Sequence, residues 1–94
     1  MVLVLFLLVG MTSVFAQKHV SVSGRITDEL NEPMIGVSVL EKGTTNGIMT
    51  DIDGKFTLNV QINAILKISF VGYQPQEIKA TKIMKIILKE DTEL

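Results

Sequence analysis

From Gln17 onward, apolar and polar residues alternate with a period of two, in short runs broken by turn residues. That periodicity belongs to half-buried β-strands rather than to helices. In the run HVSVSGRIT, Val20, Val22 and Ile26 share one face, with Ser21, Ser23 and Arg25 on the other. DELNEP then turns the chain: Asp28 and Asn31 can bond nearby backbone, and Pro33 cannot extend a central strand. IGVSVLEKG sets Val37 and Val39 inward around Ser38 and runs into KGTTNG, where Gly43 and Asn46-Gly47 are read as the positive-φ positions of a sharp loop. IMTDI, the DIDG turn and KFTLNV read as a hairpin, with Phe56, Leu58 and Val60 alternating with Lys55, Thr57 and Asn59. AILKISFVGY is apolar on both faces, which predicts a central strand. Pro75 demotes QPQEIKA to an edge or an irregular segment. KIMKIILKE closes the series with Met84, Ile86 and Leu88 on one side; its β-branched isoleucines and lack of a cap disfavour a helix. About seven short strands with turns roughly every 8 to 12 residues predict an all-β fold, a small two-sheet sandwich.

Residues 1–16, MVLVLFLLVGMTSVFA, break that pattern, being uncharged and rich in Val, Leu and Phe. The apolar run falls short of the roughly 20 residues needed to span a bilayer. Followed by small residues, it reads as a secretory signal peptide cut after Ala16, although no Lys or Arg precedes it. A lipoprotein is excluded, because lipidation there needs a cysteine and the chain has none. Cleavage leaves 78 residues, enough for one small domain over residues 17–90, with 91–94 as the start of a linker. Its stability must then come from core packing and sheet hydrogen bonds, without disulfides. A net charge of −1 argues against a nucleic-acid partner, which would draw on clustered Lys and Arg.

Candidate chemistry is sparse. The single histidine, His19, sits at a fraying end and reads as a surface residue. Asp28, Glu29, Glu32, Glu41, Asp51, Asp53 and Glu77 are scattered through turns, the ordinary solvated placement, and no serine or threonine has a nominated base. Asp51 and Asp53 are the one weak metal candidate, because D-x-D-G opens many calcium loops. An EF-hand needs oxygen ligands at loop positions 1, 3 and 5, Gly at 6 and Glu at 12. With Gly54 at the glycine position, the first and last positions fall on Met49 and Val60; with Asp51 first, the glycine and glutamate positions fall on Phe56 and Ile62. Both registers fail, and the flanks are strands. The expected structure is a turn with Asp53 and Gly54 at central positive-φ positions and the Asp51 carboxylate accepting a backbone N–H. No cofactor is implied, and the protein is not expected to be an enzyme.

Five elements, taken in order, carry a resemblance: Val22-x-Gly24-x-Ile26-x-Asp28; Pro33, Gly36 and Val39; Lys42 to Gly47; Thr50 to Phe56; and Phe70 to Tyr73 followed by Glu77. Together they resemble the carboxypeptidase-regulatory-like domain found at the N-terminus of SusC/RagA-type TonB-dependent outer-membrane transporters. The resemblance implies a transthyretin-like sandwich without catalytic residues. Its motif positions are turn or core residues, with Gly24, Gly36, Gly43, Gly47, Asp51, Asp53, Gly54 and Gly72 as structural turns. It also implies a periplasmic accessory domain of a nutrient importer whose partners are the barrel and plug, TonB and a SusD-like lipoprotein. Leu30-Asn31-Glu32 departs from the family's usual Asn-Gly turn. The TonB box, plug and barrel that would follow Leu94 are missing, so the chain looks like a fragment or a stand-alone copy. The competing expectation is a carbohydrate- or calcium-binding module using the DIDG loop, weakened by having only Tyr73 and four Phe as aromatics. A transthyretin-like hydrolase would need several converging histidines.

Overall fold

The structure is a computed structural model that describes residues 18–92. The leader expected at residues 1–16 and the last two linker residues lie outside the described residues. Seven strands follow in order: β1 (His19–Thr27), β2 (Ser38–Glu41), β3 (Gly47–Met49), β4 (Lys55–Gln61), β5 (Ile65–Ser69), β6 (Gln76–Lys79) and β7 (Ile83–Ile87). They form two sheets, β4-β1-β7 and β3-β2-β5-β6. The fold is an all-β two-sheet sandwich.

Alternation places the core. Val22 and Ile26 of β1, Phe56, Leu58 and Val60 of β4, and Met84 and Ile86 of β7 are buried, and they meet Val39 of β2 with Leu66 and Ile68 of β5. Val37 and Leu88, just outside β2 and β7, complete the same cluster. Register keeps these side chains in layers, with Val22 opposite Leu58 and Ile26 opposite Ile86. A slip by one residue would turn each set out to solvent. β5 is central and β6 is an edge, as the apolar faces of one and Pro75 before the other predict.

One pairing differs from the sequence expectation, and a second was not foreseen by it. β3 and β4 do not form a hairpin: β3 pairs with β2 and β4 with β1, so the DIDG turn carries the chain from one sheet to the other. The physical reason lies in the faces. β4 buries every second side chain and needs a full-length partner, which the nine-residue β1 supplies, whereas β3 is exposed along its whole length. β7 pairs parallel to β1, an orientation that alternation does not encode. The parallel pair forms because both strands cross the sandwich in the same direction after long excursions through the second sheet.

Thr27 is buried beside Ile26, and its hydroxyl has no hydrogen-bond partner among the described residues. Burying a hydroxyl without a partner costs free energy. Thr27→Val should therefore leave stability unchanged or raise it by about 1 kcal/mol in urea unfolding.

Candidate functional site

The DIDG segment folds as a tight turn closed by its own backbone. The Gly54 N–H donates to the Asp51 carbonyl at 2.9 Å, and the Asp51 N–H donates to the Lys55 carbonyl at 2.9 Å. Asp51 Oδ1 accepts the N–H groups of Asp53 and Lys55, each at 2.9 Å. Ile52 and Asp53 are thus the central residues, and Gly54 follows them with φ +73°. This differs from the expected turn in one respect: Asp53 has no positive φ, and Gly54 alone occupies the left-handed region. The arrangement is a type I turn followed by a left-handed residue, a common three-residue loop.

DELNE repeats it bond for bond. Asn31 N–H donates to the Asp28 carbonyl at 3.1 Å and Asp28 N–H to the Glu32 carbonyl at 2.9 Å. Asp28 Oδ1 accepts Leu30 N–H at 2.8 Å and Glu32 N–H at 2.9 Å. Asn31 stands where Gly54 stands in the other turn, with φ +65°. Asn tolerates that region because its short polar side chain costs little there. The departure at Leu30-Asn31-Glu32 therefore preserves the geometry. Asn31→Gly should be nearly neutral, while Asn31→Ala should cost about 1 kcal/mol, measured by chemical denaturation.

The two turns lie against each other. The Ile26 N–H donates to the Gly54 carbonyl at 2.7 Å, and the Met34 N–H donates to the Ile26 carbonyl at 3.0 Å. What this cluster can do chemically is limited by what its carboxylates already do. One oxygen of Asp51 and one of Asp28 each hold two backbone N–H groups, so a cation would compete with the bonds that shape the loop. Among the described residues, no three His, Cys, Asp or Glu side chains converge as a metal set.

The remaining glycines divide by role. Gly36, Gly43 and Gly72 have positive φ. Gly72 lies in the turn closed by the Tyr73 N–H on the Phe70 carbonyl at 3.1 Å, and the two rings stand 5.7 Å apart. Asn46, Gly47 and Gly24 depart from expectation: Asn46 and Gly47 have no positive φ, and Gly24 lies within a strand rather than a turn. Gly47 opens β3, and Gly24 lies inside β1 where any Cβ would overlap the Phe56 ring. Its need is for space, not for an unusual backbone. His19 lies exposed at the start of β1, at a distance along the strand from both turns.

Glu41 overturns its expected solvated placement. It is only 5% exposed, and its two oxygens accept Asn46 Nδ2 at 2.9 Å and the Gln61 N–H at 3.2 Å. Asn46 also donates to the Asn59 carbonyl at 2.8 Å. Side chains from the second sheet therefore satisfy the outer edge of β4. Gln76 does the same for β7, donating to the Ile87 carbonyl at 2.7 Å. Edge strands left unpaired invite strand addition. The parity of Val37 and Val39 extends to position 41, a signal that Glu41 faces inward.

Glu77, in contrast, is exposed and pairs with Lys42 at 2.7 Å. The Lys42 hydrogen bond is the main cause that lowers its carboxyl pKa; partial desolvation opposes it, and the charges of Lys42 and Lys67 add to it. A folded pKa below the unfolded one contributes stability above the ordinary glutamate range that is lost as pH falls through the folded value. Lys42→Met should thus lower the melting temperature slightly near neutral pH and not at all in strong acid, as thermal scans across pH would register.

A family model for the CarboxypepD_reg-like domain matches residues 22–94. The chain belongs to that family. Among similar proteins, the TonB-dependent receptor SusC of Bacteroides thetaiotaomicron is 48% identical over 80 residues, which are 85% of this chain and 8% of the receptor. The TonB-dependent receptor P39 of Formosa agariphila is 40% identical over 73 residues, 74% of this chain and 7% of the receptor. The same organism's TonB-dependent receptor P3 is 37% identical over 98 residues, 99% of this chain and 10% of the receptor. The chain thus spans about a tenth or less of the length of the curated relatives it matches. In fold, it is similar to chains in two interface mutants of a type II cohesin–X-dockerin complex from Acetivibrio cellulolyticus. Their TM-scores are 0.62 and 0.59 at 23% identity, covering 76% and 73% of this chain and 58% and 56% of theirs. At that identity the likeness concerns the fold alone.

Proposed function

We propose that the chain is a non-catalytic accessory domain of a SusC-type TonB-dependent nutrient importer, exported and held on the periplasmic side of the outer membrane. The carrying observation is the 48% identity to the receptor SusC across 85% of this chain but only 8% of the receptor. A match of that extent supports a module within a much larger machine. Asp28 and Asp51 support a structural rather than a chemical role, since each spends a carboxylate oxygen on its own turn. In this reading, residues 1–16 are a cleaved leader and residues 17–90 the domain. Residues 91–94 begin the path toward the TonB box, plug and barrel, with TonB and a SusD-like lipoprotein as further partners.

The test is a segment exchange in a SusC-type receptor. Replacing its matching segment with residues 18–94 of this chain should sustain growth on the imported nutrient, and deleting the segment should impair it. Growth indifferent to deletion would overturn the proposal. Calorimetry against calcium and oligosaccharides should register no binding heat; a micromolar signal abolished by Asp51→Ala with Asp53→Ala would replace the accessory role with ligand binding.

A further inference from the structure

The outward face of the three-stranded sheet carries its charges in an unusual arrangement. Arg25 of β1 lies directly opposite Lys55 of β4 on one side and Lys85 of β7 on the other. All three side chains are exposed. With neighbouring strands ~4.8 Å apart, three cations occupy one transverse row roughly 10 Å wide. Like charges directly opposite one another oppose sheet formation. Nothing on these strands compensates, because β1, β4 and β7 contain no Asp or Glu. Among the described residues, none of the three cations forms an ion pair, and the Arg25 Nε makes one long hydrogen bond, 3.4 Å, to the Asp53 carbonyl. The other sheet is built differently. There Lys67 lies opposite Glu77, and Lys42 pairs with that same carboxylate. The two outward faces thus carry similar numbers of cations, but only the second sheet sets a carboxylate, Glu77, among them.

The surroundings of the row describe its occupant. Beside it the surface dips over Ser23 and Thr57, whose short side chains bring their hydroxyls within 3.5 Å of each other. Along β7, Lys85 is flanked by Ile83 and Ile87, which are 85% and 47% exposed. A floor of small residues admits a polypeptide backbone, the guanidinium and ammonium groups suit carboxylates, and the isoleucines suit aliphatic side chains. Three cations in a chain of net negative charge are too few for a nucleic acid, whose affinity grows with the number of phosphates neutralised.

We propose that this face docks an extended, acidic peptide segment that interleaves carboxylate and aliphatic side chains, held by the Lys55-Arg25-Lys85 row. The proposal concerns the chain's own surface and does not rest on the receptor reading, which survives its failure.

A fluorescein-labelled peptide of alternating Asp and Val, titrated with the purified chain and followed by anisotropy, tests it. Saturable binding is expected at low ionic strength, weakening about tenfold when salt is raised from about 20 to about 200 mM. The triple variant R25Q/K55Q/K85Q should bind at least about tenfold more weakly. The control K42Q/K67Q/K79Q, which removes the same number of cations from the other sheet, should bind as the parent does. Thermal unfolding separates binding from folding, because relief of repulsion should leave the first variant at least as stable as the parent. Equal loss in both variants, or no binding at low salt, would overturn the proposal. So would binding to phosphatidylglycerol vesicles without binding to the peptide, which would assign the face to a membrane surface.

Discussion

Gly54→Ala is expected to destabilise the domain by roughly 3 kcal/mol or more. Two costs coincide at this position. The backbone has φ +73°, a region that costs an L-residue about 1–2 kcal/mol. A Cβ there would also overlap the Ile26 carbonyl oxygen and lie 3.0 Å from the Met34 nitrogen and 3.2 Å from the Pro33 Cβ. The first two are backbone atoms held by the hydrogen bonds that join the turns, so they cannot swing aside as a flexible side chain would. Gly43→Ala isolates the conformational part, because Gly43 has φ +82° and a methyl group added there would meet no neighbouring atom within 4 Å. Its cost should be only about 1–2 kcal/mol. Urea unfolding of the two variants side by side measures the difference, which is the steric contribution of turn against turn. A domain of this size has about 4–11 kcal/mol of total stability, so Gly54→Ala should leave a substantial unfolded fraction under mild denaturant.

Thr50→Val is expected to cost about 2–4 kcal/mol, with Thr50→Ser restoring most of the loss. Thr50 is 4% exposed and lies between β3 and the DIDG turn. Its hydroxyl donates to the Met34 carbonyl at 2.6 Å and accepts the Val37 N–H at 2.9 Å. Its own N–H donates to the Val37 carbonyl at 3.0 Å, and its carbonyl accepts the Gly36 N–H at 3.0 Å. Valine keeps the shape and the backbone pair but strands one buried donor and one buried acceptor, which is costlier than losing an exposed hydrogen bond. Chemical denaturation of the two variants tests the assignment. A valine variant as stable as the parent would show that water reaches Met34 and Val37 and replaces the hydroxyl.

These two positions show where sequence reading succeeds and where it stops. Thr50 and Gly54 both stood in the segment that marks the family, yet as letters they announced only a turn. That Gly54 excludes a methyl group because Ile26 and Met34 press on it requires residues roughly twenty to thirty positions away. The same holds for Glu41. Its parity with Val37 and Val39 was legible, but its partners Asn46 and Gln61 come together only when the β2–β3 loop folds over the edge of β4. The equivalence of the two Asp turns was half legible. Asp28 and Asp51 are turn residues by type, whereas Asn31 standing in for a glycine becomes visible only through its φ.

Most of the apolar core, the two Asp turns and the family resemblance were contained in the linear order of side chains. The period of two assigns each side chain a face, and Gly, Asn and Asp mark where the backbone can bend in ways that other residues resist. Strand partners, the parallel β1–β7 pair, the passage of DIDG from sheet to sheet and the cationic row across β4, β1 and β7 belong to the folded chain alone. Alternation assigns a face to each strand but says nothing of its neighbour or direction. Those follow from the joint burial of both sheets and from the hydrogen bonds that close their edges.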